Sequence, residues 1–371
     1  VSKPAIAPLV LVDRRVEPDV ARTIACTGYE AGRAASSPDT VGEALRVASE
    51  WGPKLPRPGG GRTAALWSVL ATVGSVDLTV ARVVEPHVDA LAILAEAGLD
   101  SAVAPAGATW GVYAAEGPGL RLTAAQMGSR WILDGPKPWC SLADRVTHAL
   151  VTAWVDDTTR GLFAVDLRAS GVRPSAREGE WVSHGLPDVT SGGLELTRVR
   201  AVPVGGPGWY LERPGLAWGG VGVAAVWFGA AVALARRVGR HVADRPADQV
   251  AQLHIGQLDL AISTARQAVA AAAAVADRTA DRTPGRAADA APGDEAPGLV
   301  AARARSIVAE SVETVLRVAD HAMGPGPLAT EAEHAQRVSD LRLYVRQHHA
   351  ERDVANLGQQ VLAAAGSGSP W

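Results

Sequence analysis

The chain is expected to fold as α+β, with a mainly helical N-terminal domain, a middle β-barrel or sandwich, and a C-terminal four-helix bundle. Three observations predict this. Over residues 1–101 the apolar residues recur at spacings of three and four. Over 102–207 they gather in short runs punctuated by turn residues. Over 208–371 long helical patterns return. A length of 371 residues exceeds one small core, since ~150 residues per domain suggests two or three. With 47 % apolar residues the chain can fill cores of that extent.

In the first region, Val41 to Trp51 and Thr63 to Val73 carry helical spacing. Asp77 is an N-cap candidate for a helix bearing Leu78, Val80, Val83 and Val84, which Pro86 is expected to interrupt or restart. Gly98 suits the C-cap. In the middle region the strand-like runs are Trp110–Ala115, Leu120–Ala124, Trp131–Leu133, Ala149–Val155, Leu162–Leu167 and Gly193–Leu196. Gly117-Pro118, Asp134-Gly135 and Asp156-Asp157 read as turns between them. The last region reads as helices over Pro214–Ala243, Ala247–Asp277, Gly298–Ala322 and Thr330–Ala365, enough for a bundle. Residues 277–297, rich in Ala, Asp, Arg, Gly and Pro, read as a mobile loop, and Gly366-Ser-Gly-Ser as a frayed tail.

Composition narrows the function classes. A net charge of −3 with mixed signs argues against nucleic acid as the main partner. The two cysteines, Cys26 and Cys140, fit a reducing cytoplasm better than a disulfide framework. No metal site is expected, because His348-His349 lacks metal-ligand spacing. Gly59-Gly-Gly-Arg-Thr63 lacks the Gly-Lys-Ser/Thr ending of a phosphate loop. Leu216 to Ala235 carries no charge and is long enough for a membrane span. Its Gly and Ala content, and the apolar helices that follow, favour a helix buried inside a bundle, so no membrane partner is expected.

The most informative stretch is Trp131-Ile-Leu-Asp-Gly-Pro-Lys-Pro-Trp-Cys-Ser141. It offers an indole, Trp139, followed by two small polar residues, which suits the wall of a flat cofactor; a packed core tryptophan is the plainer alternative. This stretch resembles the signature segment of the middle β-domain of the acyl-CoA dehydrogenase superfamily. Asp77-Leu-Thr-Val-Ala-Arg82 and Glu85-x-His87-x-Asp-Ala90 resemble that family's N-terminal helices, and Arg346-Gln-His-His-Ala-Glu-Arg-Asp353 its last helix in a divergent bacterial branch. The resemblance runs from about Gly59 to the end of the chain.

It implies an FAD site in which Trp139 lies against the flavin, with Cys140 and Ser141 beside it and Ser141 near N5. Val112-Tyr-Ala-Ala-Glu-Gly-Pro-Gly119 resembles the other flavin-edge strand, which gives Val112 and Ala115 a cofactor role. Ala115 stands where the family has a threonine, so one hydroxyl is missing. The dinucleotide tail implies an arginine among Arg236, Arg237 and Arg240, with Arg237 the central candidate. It also implies a Gly-rich turn, met by Gly324 and Gly326 in Met323-Gly-Pro-Gly326; an ordinary turn between helices is the alternative.

The family's reaction removes the α-proton of an acyl thioester by a carboxylate while the β-hydrogen leaves as hydride to flavin N5. The usual C-terminal glutamate is absent, and His348 falls at its place. A minority of members carry the base just before an arginine at the start of the first bundle helix, and Glu212-Arg213 falls there, so Glu212 and His348 are the candidate catalytic residues. The implied function is an FAD-dependent dehydrogenase of acyl-CoA or a carrier-bound acyl group, with an electron-transfer partner and a homodimeric or homotetrameric assembly. A non-catalytic subunit of a heteromeric dehydrogenase and a flavin monooxygenase on the same fold are the alternatives.

Overall fold

The computed structural model describes residues 7–12, 17–99, 103–175, 181–244, 246, 248–280 and 295–366. They form two compact units: 1–33, 56–81 and 217–371 make one, and 34–55 with 82–216 the other. The N-terminal helices are thus divided between the units.

The second unit is built on strands β1 (Trp110–Tyr113), β2 (Thr123–Met127), β3 (Arg130–Ser141), β4 (His148–Trp154), β5 (Arg160–Asp166), β6 (Val172–Pro174) and β7 (Ser191–Val204). The pairings β4–β2, β2–β3, β3–β7, β7–β5 and β5–β4 close a ring, so the expected barrel is present. β1 adds in parallel to β4, and β6 adds to β7. Most strand boundaries shift by one or two residues and β6 was not expected; three differences are larger. The second strand starts at Thr123 rather than Leu120, β3 runs on to Ser141, and β7 spans fourteen residues. Asp134-Gly135 is no turn: the hairpin turns at Gly128-Ser129, and Gly135 (φ +119) lies opposite a bulge of β7, where Asp134 accepts the Arg198 N–H. Pro136 and Pro138 donate no ladder hydrogen bond, and irregular pairing of this kind tolerates them.

Helix α2 (Thr40–Trp51) starts at Asp39, whose carboxylate accepts the Gly42 N–H, and most of α4 (Leu78–Glu96) also belongs to this unit. Pro86 does not break α4 as expected. Val83, Val84, Val88, Leu91, Ile93 and Leu94 are buried on both sides of it, and that packing outweighs one lost backbone bond. Asp77 caps α4 through the Val80 N–H, and Gly98 (φ +70) ends its last turn. Leu91 and Leu94 pack with Trp110, Leu150, Leu162 and Tyr210 as a core. A four-residue helix, α5 (Trp209–Glu212), closes the unit.

The first unit holds α1 (Pro18–Ala34), α3 (Thr63–Val76), α6 (Leu216–Ala243), α7 (Gln249–Ala280), α8 (Pro297–Met323), α9 (Pro325–Thr330), α10 (Ala332–Tyr344) and α11 (Glu351–Ala365). The apolar stretch of α6 is long enough to cross a membrane, but 67 % of its most apolar window is buried by the protein itself. α7 also has the length and apolarity for a span, and 33 % of its window is buried. Glycines let α3 and α6 touch backbone to backbone: a Cβ on Gly229 would stand 1.9 Å from the Ala71 carbonyl oxygen, and one on Gly74 2.4 Å from that of Val226. The single helix expected over Thr330–Ala365 is instead broken. A short 3-10 turn, Val345–Gln347, follows α10, and Ala350 (φ +46) redirects the chain into α11. The loop expected over 277–297 is narrower, since α7 runs to Ala280 and α8 starts at Pro297; residues 281–294 lie outside the described residues, as does the tail beyond Gly366.

Candidate flavin-binding site

β3 builds the candidate site by breaking its own alternation. Lys137 pairs with Leu194 and Cys140 with Gly192, so three steps on β3 answer two on β7. The extra residue is a β-bulge. Lys137 and Cys140 consequently both point inward, each 1 % exposed, and Trp139 between them is left 61 % exposed. The backbone absorbs the insertion at Trp139, whose φ is +59. A bulky L-residue in the left-handed region costs about 1–2 kcal/mol. An indole held in solvent on a strained backbone does little for the fold, and strain of this kind gathers at functional positions.

The inward neighbours are tightly held. Lys137 Nζ donates to Glu116 Oε1 at 2.7 Å and to Thr152 Oγ1 at 2.8 Å. Glu116 also accepts from Arg160 and from the Trp154 indole. Burial pushes the Lys137 ammonium pKa down against the pull of Glu116. Burial pushes the Glu116 carboxyl up, but the Lys137 and Arg160 bonds bring it below the usual range. These contacts tie the segment after β1, where Ala115 is exposed, to β3. Val112 is half-buried on β1 itself. Burial lifts the Cys140 thiol to about 12, so that side chain is an inert part of the barrel and offers a cofactor only its backbone.

Ser141 is the most heavily bonded of the candidates. The Tyr113 hydroxyl donates to its carbonyl at 2.9 Å, and burial pushes that phenol well above its ordinary pKa. Ser141 Oγ lies 2.7 Å from Ser191 Oγ and accepts from Arg82 Nη2 at 3.2 Å. Arg82, Trp110, Val112, Tyr113 and Ser141 line a cavity of about 20 Å³.

In the same unit Glu212 ends α5 exposed, and among the described residues no side chain bonds it. Its neighbour Arg213 is the anchored group. Arg213 is buried, donates to Glu96 Oε2 at 2.6 Å, stands 4.0 Å from Asp89 and lies over the Tyr210 ring. Burial raises the Asp89 carboxyl, with Arg213 opposing. Sequence reasoning passed over Arg82, Lys137, Asp89 and Arg213. For Arg82, Asp89 and Lys137 the signal available was a charge set within the apolar stretches of α4 and β3; Arg213, just after α5, gave none of that kind.

In the other unit, Arg237 makes a two-pronged pair with Glu331, Nε–Oε2 2.8 Å and Nη2–Oε1 2.5 Å, which occupies its fork. Arg236 donates to the Ala7 carbonyl. Gly324 (φ +67) joins α8 to α9, and space is open around both Gly324 and Gly326. His348 is buried, its Nε2 3.1 Å from Ser306 Oγ and 3.9 Å from Asp353, and burial lowers its pKa. It lies on a groove of about 1020 Å³ between α7, α8 and α11, with Leu260, Ser306, Glu310, Thr314 and Val354. Thus Trp139, Ser141, Val112, Ala115 and Glu212 fall in one unit, and Arg237, Gly324, Gly326 and His348 in the other.

No protein-family model matches the sequence, and no curated protein matches it significantly. Solved structures do share its fold. Butyryl-CoA dehydrogenase from Megasphaera elsdenii aligns over 95 % of this chain and 100 % of its own, with TM-score 0.77 and 15 % identity. A glutaryl-CoA dehydrogenase from Mycobacterium smegmatis in complex with FADH2 aligns over 96 % and 98 %, with TM-score 0.74 and 17 % identity. KijD3, in complex with FMN and a dTDP-linked amino-keto sugar, aligns over 96 % and 97 %, with TM-score 0.75 and 16 % identity. The chain has the acyl-CoA dehydrogenase fold.

Proposed function

We propose that this chain is a flavin-dependent oxidoreductase, and that it dehydrogenates an acyl thioester using FAD. The observation that carries the reading is Trp139, an exposed indole on a strained bulge beside a prearranged serine hydroxyl. An isoalloxazine needs such a wall and polar groups at its edge; Trp139 offers the first on an open face and Ser141 the second, while the cavity of about 20 Å³ beside Ser141 is too small to enclose the ring. When bound, the flavin supplies the hydride chemistry. Trp139 gives the ring a face, Ser141 meets its edge, and Lys137 with Glu116 fixes the bulge that presents both. Glu212 takes the α-proton on a carboxylate oxygen, from a position open to an entering substrate. A cytoplasmic location is part of the same reading, and so is a homo-oligomer, which exposed Val250, Leu253 and Leu260 along α7 support.

The test is the absorption spectrum of the purified protein, alone and after addition of FAD and of FMN. A bound-flavin spectrum that bleaches on anaerobic addition of acyl-CoA is expected. A protein that stays colourless with both flavins refutes the reading. A second reading, a flavin monooxygenase, is favoured by one observation: the place of the usual C-terminal carboxylate holds a buried imidazole, His348, hydrogen-bonded to Ser306. Oxygen uptake by the reduced holoprotein, with no response to acyl-CoA, would select it.

A further inference from the structure

Proton accounting at Ser141 gives the site a direction. A serine hydroxyl has one hydrogen and two lone pairs. Ser191 Oγ lies 3.2 Å from the Val189 carbonyl, a group that can only accept, and both Ser191 contacts are made at once only when the Ser191 hydrogen goes there. The 2.7 Å contact between the two hydroxyls therefore takes its hydrogen from Ser141. Arg82, which can only donate, fills one Ser141 lone pair at 3.2 Å. The order Arg82 to Ser141 to Ser191 to the Val189 carbonyl leaves Ser141 Oγ with one lone pair and no hydrogen to give.

We propose that Arg82 and Ser191 are positioning residues that hold Ser141 as a hydrogen-bond acceptor, so that the site favours reduced over oxidised flavin. The inference rests on the flavin reading above. Oxidised flavin presents at N5 a lone pair, which such a Ser141 serves only by giving up one bond of this chain. Two-electron reduction forms an N5–H bond with one proton, and that N–H finds the remaining Ser141 lone pair. Two electrons and one proton leave one negative charge on the ring, which the largely buried Arg82 guanidinium would favour, its side chain being 16 % exposed. Glu85, 3.9 Å away on the next turn of α4, orients the guanidinium.

The test uses the full chain loaded with FAD, titrated with dithionite beside a reference dye, so that the dithionite is the electron donor. Flavin affinity is measured first, by fluorescence. Arg82→Met is expected to shift the reduced-to-oxidised ratio about tenfold toward oxidised, a potential lower by ~30 mV for a two-electron couple. Ser191→Ala is expected to move it the same way, because the Ser141 hydrogen becomes free to serve oxidised N5. Arg82→Lys should restore at least half of the shift, and sulfite affinity, which also rewards negative charge on the ring, should fall in parallel. Wild-type potentials in both Arg82→Met and Ser191→Ala, with flavin bound as tightly as before, would overturn the relay and leave the flavin reading standing. Failure of the wild-type chain to bind flavin would overturn both. Ser191→Ala and Arg82→Lys decide the matter if Arg82→Met does not fold.

Discussion

Replacing Trp139 by glycine and by alanine separates what the residue costs the fold from what it gives the site. Both variants lose the same indole, 61 % of which is exposed, so the burial lost is common to the pair. They differ in backbone. At an ordinary strand position glycine is less stable than alanine by about 0.5–1 kcal/mol, through chain entropy. At φ +59 alanine keeps the left-handed penalty of about 1–2 kcal/mol, which glycine does not incur. The order therefore inverts, with Trp139→Gly more stable than Trp139→Ala by about 0.5–1 kcal/mol. Paired urea titrations read this as a shift in midpoint at constant slope, and in melting the gap is roughly 1–4 °C for a unit of this size. Both variants should bind flavin roughly two- to tenfold more weakly or worse, since an aromatic stacking contact is worth ~0.5–1.5 kcal/mol beyond its burial. Trp139→Ala equal to or more stable than Trp139→Gly would refute the strained bulge. Undiminished flavin affinity in either variant would refute the indole as the cofactor's wall.

Three further outcomes are expected. Glu212→Gln should leave stability within about 0.5 kcal/mol, because the side chain is exposed, while lowering anaerobic flavin bleaching by acyl-CoA about 10²–10⁴-fold; stopped-flow absorbance checks it. Gly229→Ala should destabilise the bundle by about 3 kcal/mol or more, since the added Cβ meets backbone rather than a movable side chain; its urea midpoint checks this. Burial holds the pKa of His148, His334 and His348 below the usual histidine value, so the unfolded chain binds protons first as pH falls. Stability should be full above about pH 6.5 and decline below it, by at most ~1.4 kcal/mol per pH unit for each histidine. In a series of melts across pH 5–7, His348→Gln should flatten that decline.

The order of helices, barrel and bundle was legible from apolar patterning: helical spacing in α2, the long uncharged run of α6, and the short apolar runs of β4 and β5, which are buried on both faces. Long-range compensation was not legible. Nothing near Pro86 announces that an apolar face on both sides will carry α4 through it. Nothing near Gly135 announces that β7 will bulge opposite it, and nothing near Pro138 that β3 will itself take up an extra residue and continue as one long strand. Ala350 gave no sign of taking a positive φ, so α10 and α11 read as one helix.

The candidate site follows the same division, and this bears on which residues to trust there. Trp139 was legible as a residue type, but its reach into solvent comes from the registry of its neighbours. Lys137 is fixed inward by Glu116 and Thr152, and Cys140 by its own burial, so the one extra residue between them must turn the indole outward. Glu212 is the opposite case. Its spacing before an arginine suggested a built base, yet the protein's contacts are spent on Arg213, held by Glu96 and faced by Asp89 and Tyr210. A side chain left this free acquires its geometry only from substrate. If Glu212 is the base, its substitution should therefore act on kcat while leaving flavin affinity and the spectrum of the resting holoprotein unchanged, whereas a loss at Trp139 should alter both.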